Sequence, residues 1–344
     1  MFKSFKIAYI EKNVHITKKR PMNFLRQSVA YMLTQSANTI PHAAMMVQHD
    51  VTPTIEYAKR TEKTITPFDG ETPEQFRLRR AVRKNYSAFF IKALAHAFHD
   101  VPTVPVFMDY RIWRDPGTLY YTDDVNISYT VNTKFGVITP IVRNAHRKTI
   151  VQVAEEMREL TRKARRTDAN ELYRRVAVEY VKYALRELNF KEIKGMWMLL
   201  RALLWRRDPV DPEFADVPED QKLKPSDILG ATCTLANNGM MVSGNQTQTI
   251  ITPPALYMFG LSDLHQAPWV VDGQVVPRWV VTFFATMDHR ALDAGESFPF
   301  FAHVGEYFQQ PERIYEWEPD AQEGELGVRN KQIQDSEFRI QDKN

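Results

Sequence analysis

The sequence predicts an α/β fold of layers built on one mixed sheet. Helix-like and strand-like segments are intermixed without a βαβ period or an internal repeat, which argues against a Rossmann or barrel design. The chain has 344 residues and 44% apolar content, enough to bury one large core or two modest ones.

The elements follow from periodicity. Residues 1–20 are basic and alternating, the pattern of an edge strand. Phe24, Val29, Met32 and Leu33 predict a helix over Asn23 to Ser36, ended before Pro41. Ala43 to Val51 reads as a strand, and Asp50 or Thr52 caps a second helix through Tyr57 to Arg60. Residues 61–80 are polar and read as a loop. Ser87 to His99 has apolar residues at helical spacing. Strands are expected at Asn126 to Val131 and Val137 to Val142, and an amphipathic helix over Thr149 to Arg165. Further strands are expected at Ala231 to Leu235, Thr247 to Thr252, Ala255 to Leu261, Trp269 to Val271 and Arg278 to Met287, with Asp272-Gly273 as a turn.

Composition excludes several classes. The 45 basic against 42 acidic residues give a net charge of +3, so no field for nucleic acid is expected. Cys233 is the single cysteine, in an apolar run where a thiol is a small core residue; an intrachain disulfide is excluded. No window approaches the roughly 20 apolar residues of a membrane span, and Met1 to Asn13 has no signal-peptide core. A cytoplasmic protein is expected. His96 and His99 share a helix, but no further ligand accompanies them, so no metal site is expected.

The segment Asp288-His289-Arg290-Ala291-Leu292-Asp293 leaves the last strand. A histidine there suits general-base chemistry if a wall keeps it neutral and an ion pair fixes the local backbone. The segment resembles the D-H-R-x-x-D-G signature of the catalytic domains of dihydrolipoyl acyltransferases, the cores of 2-oxoacid dehydrogenase complexes. Arg26 to Ala30, Thr39-Ile40-Pro41-His42, Asp50-Val51-Thr52, Asn126-Ile127, Gly136 to Ala145 and Leu223 through Leu235 resemble further motifs of that family in order. Such ordered agreement is far more specific than an isolated H-x-x-x-D.

The resemblance implies a chloramphenicol acetyltransferase-like two-layer sandwich over residues 1–319, while the polar composition of 320–344 predicts a disordered tail. It implies coenzyme A as a substrate, His289 as the base that takes a thiol proton, and acyl transfer to a dihydrolipoyl or pantetheine-type thiol. It implies a homotrimer, or a multiple of trimers, with the channel between subunits, and other subunits of an acyl-transfer complex as partners. No lipoyl-bearing domain, and so no covalent lipoyl group, is expected on this chain.

The chain also departs from the family. The position of the oxyanion-stabilising serine falls on Ala236, leaving Thr234 or Asn237 as provisional donors. The arginine that pairs with the motif aspartate falls on Ala58, so Lys59 or Arg60 is expected to pair with Asp293. Glycine follows Asp293 one place late, as Gly295. Residues 167–222 are an insertion read as two helices, Ala169 to Leu188 and Lys191 to Trp205, then an acidic loop. The apolar second helix either packs on protein or binds a lipid surface or a partner. A scaffold, or a binder of acyl-CoA without turnover, is the alternative to an active enzyme.

Overall fold

The computed structural model describes residues 5–110, 116–186, 211–237 and 249–319. The expected helix Lys191 to Trp205 and the tail 320–344 lie outside these residues. Along the chain come α1 (Phe5–Asn13), α2 (Phe24–Thr39), β1 (His42–Asp50), α3 (Thr52–Thr64), α4 (Pro73–Ala81) and α5 (Tyr86–Asp100). Short strands follow: β2 (Phe107–Asp109), β3 (Thr118–Tyr120), β4 (Ile127–Tyr129), β5 (Val131–Thr133), β6 (Gly136–Ile138) and β7 (Ile141–Val142). The remainder comprises α6 (Ile150–Arg165), α7 (Ala169–Arg186), α8 (Pro212–Ala215), β8 (Cys233–Asn237), β9 (Tyr257–Leu261), β10 (His265–Val271), β11 (Gln274–Asp288), α9 (Ala294–Gln309) and α10 (Glu312–Tyr315).

The main sheet runs β1-β11-β9-β8-β4-β7, with β10 paired to β11 off that path. It is mixed: β8 is parallel to β9 and β4, and the other pairs are antiparallel. β11 is its axis, buried at every residue from Val280 to Asp288. Phe259 and Phe283 stack on one face with centroids 5.3 Å apart, and Phe300 of α9 and Phe98 of α5 close over them. Burying each phenyl is worth about 2 to 3 kcal/mol. α6 carries the amphipathic pattern expected of it, with Val153, Met157, Leu160 and Ala164 buried, and begins in a capping box between Thr149 and Gln152.

α5 is buried all round from Ala88 to Phe98, and encloses polar groups. Lys92 is fully buried, donates to the carbonyls of Ala145 (3.3 Å) and His146 (2.9 Å), and sits 3.5 Å from the centroid of Trp317. Burial pushes its ammonium down to about 6, against the opposing pull of Glu318. His96 packs edge-on to Trp317, and His146 stacks on His99. Burial holds His146 down at about 3, helped by the nearby charges of His99, Arg147 and Lys92.

Several expectations require correction. Where an edge strand is expected in residues 1–20, Phe5–Asn13 instead form helix α1, which has no buried residue. A helix pairs its own backbone groups where no neighbouring strand is on offer. The loop of residues 61–80 contains α4, opened by a capping box between Thr72 and Gln75. Pro140 splits Val137 to Val142 into β6 and β7. Residues 249–252 are not a strand, and Pro253-Pro254 follow them directly. The acidic loop after residue 208 contains α8.

The N-terminal part of β11 leaves the sheet with β10 as a hairpin. Its turn, Asp272-Gly273, has positive φ at both residues (50° and 77°), the geometry whose twist matches the paired strands. Pro268 sits opposite Pro277 in this hairpin.

Candidate active site

The D-H-R segment is held by three neighbours. Asp288 pairs with His42 of β1, and its amide donates to the Leu256 carbonyl (3.0 Å). The His289 amide donates to the Pro41 carbonyl (3.1 Å). The Asp288 side chain is 2% exposed and receives Arg290 through Nε (2.9 Å), Nη2 (2.6 Å) and the backbone amide (3.1 Å). This carboxylate–guanidinium fork locks the turn that carries the histidine. Arg290 also lies 5.7 Å from the centroid of Tyr110.

His289 itself is exposed, and its ring takes no hydrogen bond from the described residues. The neutralising wall expected from sequence is therefore not built by this part of the chain. His42 is nearby on β1, with Nε2 3.3 Å from Ser36 Oγ and 3.4 Å from the Ile251 amide.

The expected ion pair of Asp293 with Lys59 or Arg60 does not form within the chain. Asp293 caps α9 instead, accepting from the Glu296 amide while Glu296 accepts from its own (both 3.0 Å). Lys59 lies 5.3 Å from the centroid of Trp279, and Arg60 5.5 Å from that of Tyr57. Trp279 is nine residues upstream of Asp288 on β11. At ~3.3 Å per residue, the two lie roughly 30 Å apart. The pair that fixes the motif is Asp288–Arg290, within the motif itself.

Thr234 and Asn237 stand on β8. Thr234 is opposite Met258, which is opposite Thr286, three residues before His289. Asn237 is opposite Leu261, itself opposite Phe283. With strands ~4.8 Å apart, Thr234 lies on the order of 14 Å from His289 and Asn237 about 22 Å. Neither shares a reacting atom with His289 of its own chain. Both are engaged locally: the Thr234 hydroxyl is 2.7 Å from Ser128 Oγ, and Asn237 Nδ2 donates to Ser87 Oγ (3.2 Å). Ala236, between them, is buried opposite Gly260.

Sequence reasoning named Thr234 but missed the hydroxyls of Ser128, Thr249 and Thr286 in register with it or beside it. Ser128, Thr234, Met258 and Thr286 form one row across four strands on the face opposite Phe259, and Thr249 Oγ1 meets Thr286 Oγ1 at 3.1 Å. No motif flags them; only register does. Cys233 is fully buried, and burial pushes its thiol well up, away from reactivity. Among the described residues no three His, Cys, Asp or Glu side chains are grouped to hold a metal.

The model of the 2-oxoacid dehydrogenases acyltransferase (catalytic domain) family matches residues 15–172 and 213–316. The chain belongs to this family. The acyltransferase match resumes only at residue 213, leaving 173–212 unmatched. A dihydrolipoyllysine-residue succinyltransferase component of the 2-oxoglutarate dehydrogenase complex from Bartonella vinsonii is 24% identical, over 88% of this chain and 55% of the relative. The mitochondrial counterpart from Saccharomyces cerevisiae is 26% identical, over 86% of this chain and 48% of the relative. The chain thus spans about half the length of these relatives.

Solved acyltransferase cores share the fold. The dihydrolipoamide acetyltransferase of Azotobacter vinelandii superposes with a TM-score of 0.62 at 18% identity, covering 91% of this chain and 98% of that one. A probable dihydrolipoamide acetyltransferase from Listeria monocytogenes gives 0.57 at 20% identity, over 85% and 94%. The Azotobacter protein is described with a serine, a histidine and an asparagine in its catalytic mechanism.

Proposed function

We propose that this acyltransferase moves an acyl group between coenzyme A and a thiol acceptor of the dihydrolipoyl or pantetheine type. The observation that carries the reading is His289, exposed at the end of β11 and fixed by the Asp288–Arg290 fork, in a chain of this family. The imidazole takes the proton of the attacking thiol, and the sulfur adds to the thioester carbonyl. The tetrahedral intermediate collapses with loss of the donor thiolate, which recovers the proton from the imidazolium. Asp293 shapes the turn as the cap of α9.

The oxyanion donors and the wall around His289 come, on this reading, from a second copy. Within one chain Thr234 and Asn237 are too far from His289, and a dry site needs a cover. A homotrimer or a multiple of trimers supplies both, with other subunits of an acyl-transfer complex as donors or acceptors. Sedimentation together with CoA binding tests this: a monomer that binds CoA with an intact site sinks it.

The second reading is a scaffold or acyl-CoA binder with little turnover. It is favoured by Ala236, which offers no hydroxyl, and by a Thr234 hydroxyl already engaged with Ser128. Thiol exchange from acyl-CoA to several acceptors, compared between the parent and His289→Ala, separates the two. Equal rates end the enzymatic reading.

A further inference from the structure

Far from the D-H-R turn, a cavity of about 240 Å³ opens between the C-terminal end of α3 and α4. Thr61, Thr64 and Thr66 line it with Phe68, Arg79 and Arg83. Glu316, from the segment after α10, closes one side. Residues 59–84 carry eight basic side chains against four acidic, although the whole chain is nearly neutral. The segment that builds most of the cavity is thus net positive on a balanced protein.

Arg83 is the unusual group. Its side chain is 2% exposed, yet among the described residues only Nη2 has a hydrogen-bond acceptor, the Glu316 carboxylate at 2.8 Å. Nε and Nη1 are buried with no acceptor among those residues. A buried guanidinium with two unmade hydrogen bonds is costly, because each donor has lost its water and gained nothing in return. Its face lies 4.7 Å from the Tyr315 centroid, which supports the charge and supplies no acceptor. Arg79 differs: Glu71 satisfies it through Nε (2.8 Å) and Nη2 (2.7 Å), and it stacks 3.9 Å from the Phe68 centroid. Glu316 is half exposed and also accepts from Tyr57 (2.9 Å), so an anion already sits at the mouth of the cavity, supplied by the chain itself.

We propose that this cavity is a phosphate-group site centred on Arg83, with Glu316 as an internal carboxylate that the ligand displaces. A phosphate presents several acceptor oxygens and two negative charges; Glu316 presents one charge and reaches one guanidinium nitrogen. Thr61 and Thr64 carry hydroxyls that donate to their own helix, to the carbonyls of Tyr57 (2.8 Å) and Arg60 (3.1 Å); a bound anion turns that single proton of each toward itself, and Phe68 with its stacked Arg79 forms the wall. The volume accommodates a phosphate or a small phosphomonoester. The proposal stands apart from acyl transfer, and its test reads binding alone.

The full chain is titrated by calorimetry with inorganic phosphate, and separately with glycerol phosphate, at constant ionic strength with chloride as control. One saturable site per chain is expected for phosphate. Tighter binding of glycerol phosphate identifies an esterified ligand, and tighter inorganic phosphate a free ion; either supports the site. Glu316→Gln should bind several times more tightly, and Arg83→Lys about tenfold more weakly, as loss of a charged hydrogen bond requires. Thr64→Val, which leaves the buried guanidinium in place, should weaken binding without changing Tm, and covers the case in which Arg83→Lys does not fold. No saturable heat in the parent, or affinity unchanged in Glu316→Gln and Thr64→Val, overturns the proposal.

Discussion

Arg290 closes on Asp288, two residues before it, with both ends of its guanidinium fork on a carboxylate that is 2% exposed. The pair straddles His289 and turns the chain out of β11 at a fixed angle. Arg290→Ala strips the partner from a buried charge. We expect a loss of about 3 kcal/mol, the low end for a broken buried pair because Arg290 keeps some exposure. Arg290→Lys should recover only part, since an ammonium cannot make the two-point contact. Urea unfolding of both variants measures this, and parental stability in Arg290→Ala contradicts it.

His289 is exposed, so its truncation should change stability by no more than about 0.5 kcal/mol. Transfer activity should fall about 10² to 10⁴-fold, the usual contribution of a general base. Rates from single-time-point thiol release, with sedimentation to verify assembly, decide the matter.

Ala236→Ser restores a hydroxyl between Thr234 and Asn237, both already bonded to side chains of their own subunit. A single oxyanion donor is worth about 10² to 10³ in rate, so an increase of at least about tenfold is expected. An unchanged rate means that Thr234 or Asn237 is an adequate donor.

Acid should destabilise the protein through His146. The folded state refuses a proton until about pH 3, whereas the unfolded imidazole takes one near 6.5. Protons therefore bind preferentially to the unfolded chain in that window, and stability falls as pH drops from about 6.5 toward 3. His146→Gln should flatten the fall in urea midpoint between neutral pH and the lower end of the window. An identical slope in parent and variant removes His146 from the explanation.

Much of the fold is legible in the sequence where one physical signal acts alone. α6 declares itself through Ile150, Val153, Met157 and Leu160, and the hairpin through Asp272-Gly273. α4 was legible too: Thr72 and Gln75 spell a capping box, masked by the polarity of the residues around them. α1 was not, because Phe5, Ile7 and Tyr9 alternate as a strand would while the chain offers them no partner strand. At the site, motif spacing singles out His289, while the ion pair expected between Asp293 and Lys59 or Arg60 does not form within the chain. The two-residue spacing of Asp288 and Arg290 carries that information, whereas Lys59 packs over Trp279, nine residues up β11 from Asp288. The row of Ser128, Thr234 and Thr286 arises from register between distant segments, which no local pattern encodes.

The facing prolines of the β10–β11 hairpin govern what the newly made chain avoids. Pro268 and Pro277 can occupy only positions whose amides would point outward, away from each other. Each outer rim of the hairpin thus lacks a donor midway along an arm that carries Val270 and Val275 in the open. Another extended segment cannot zip along it to any length, so the arm resists runaway fibril growth. Replacing both prolines would leave the native contacts of the hairpin intact and remove its protection against templated aggregation.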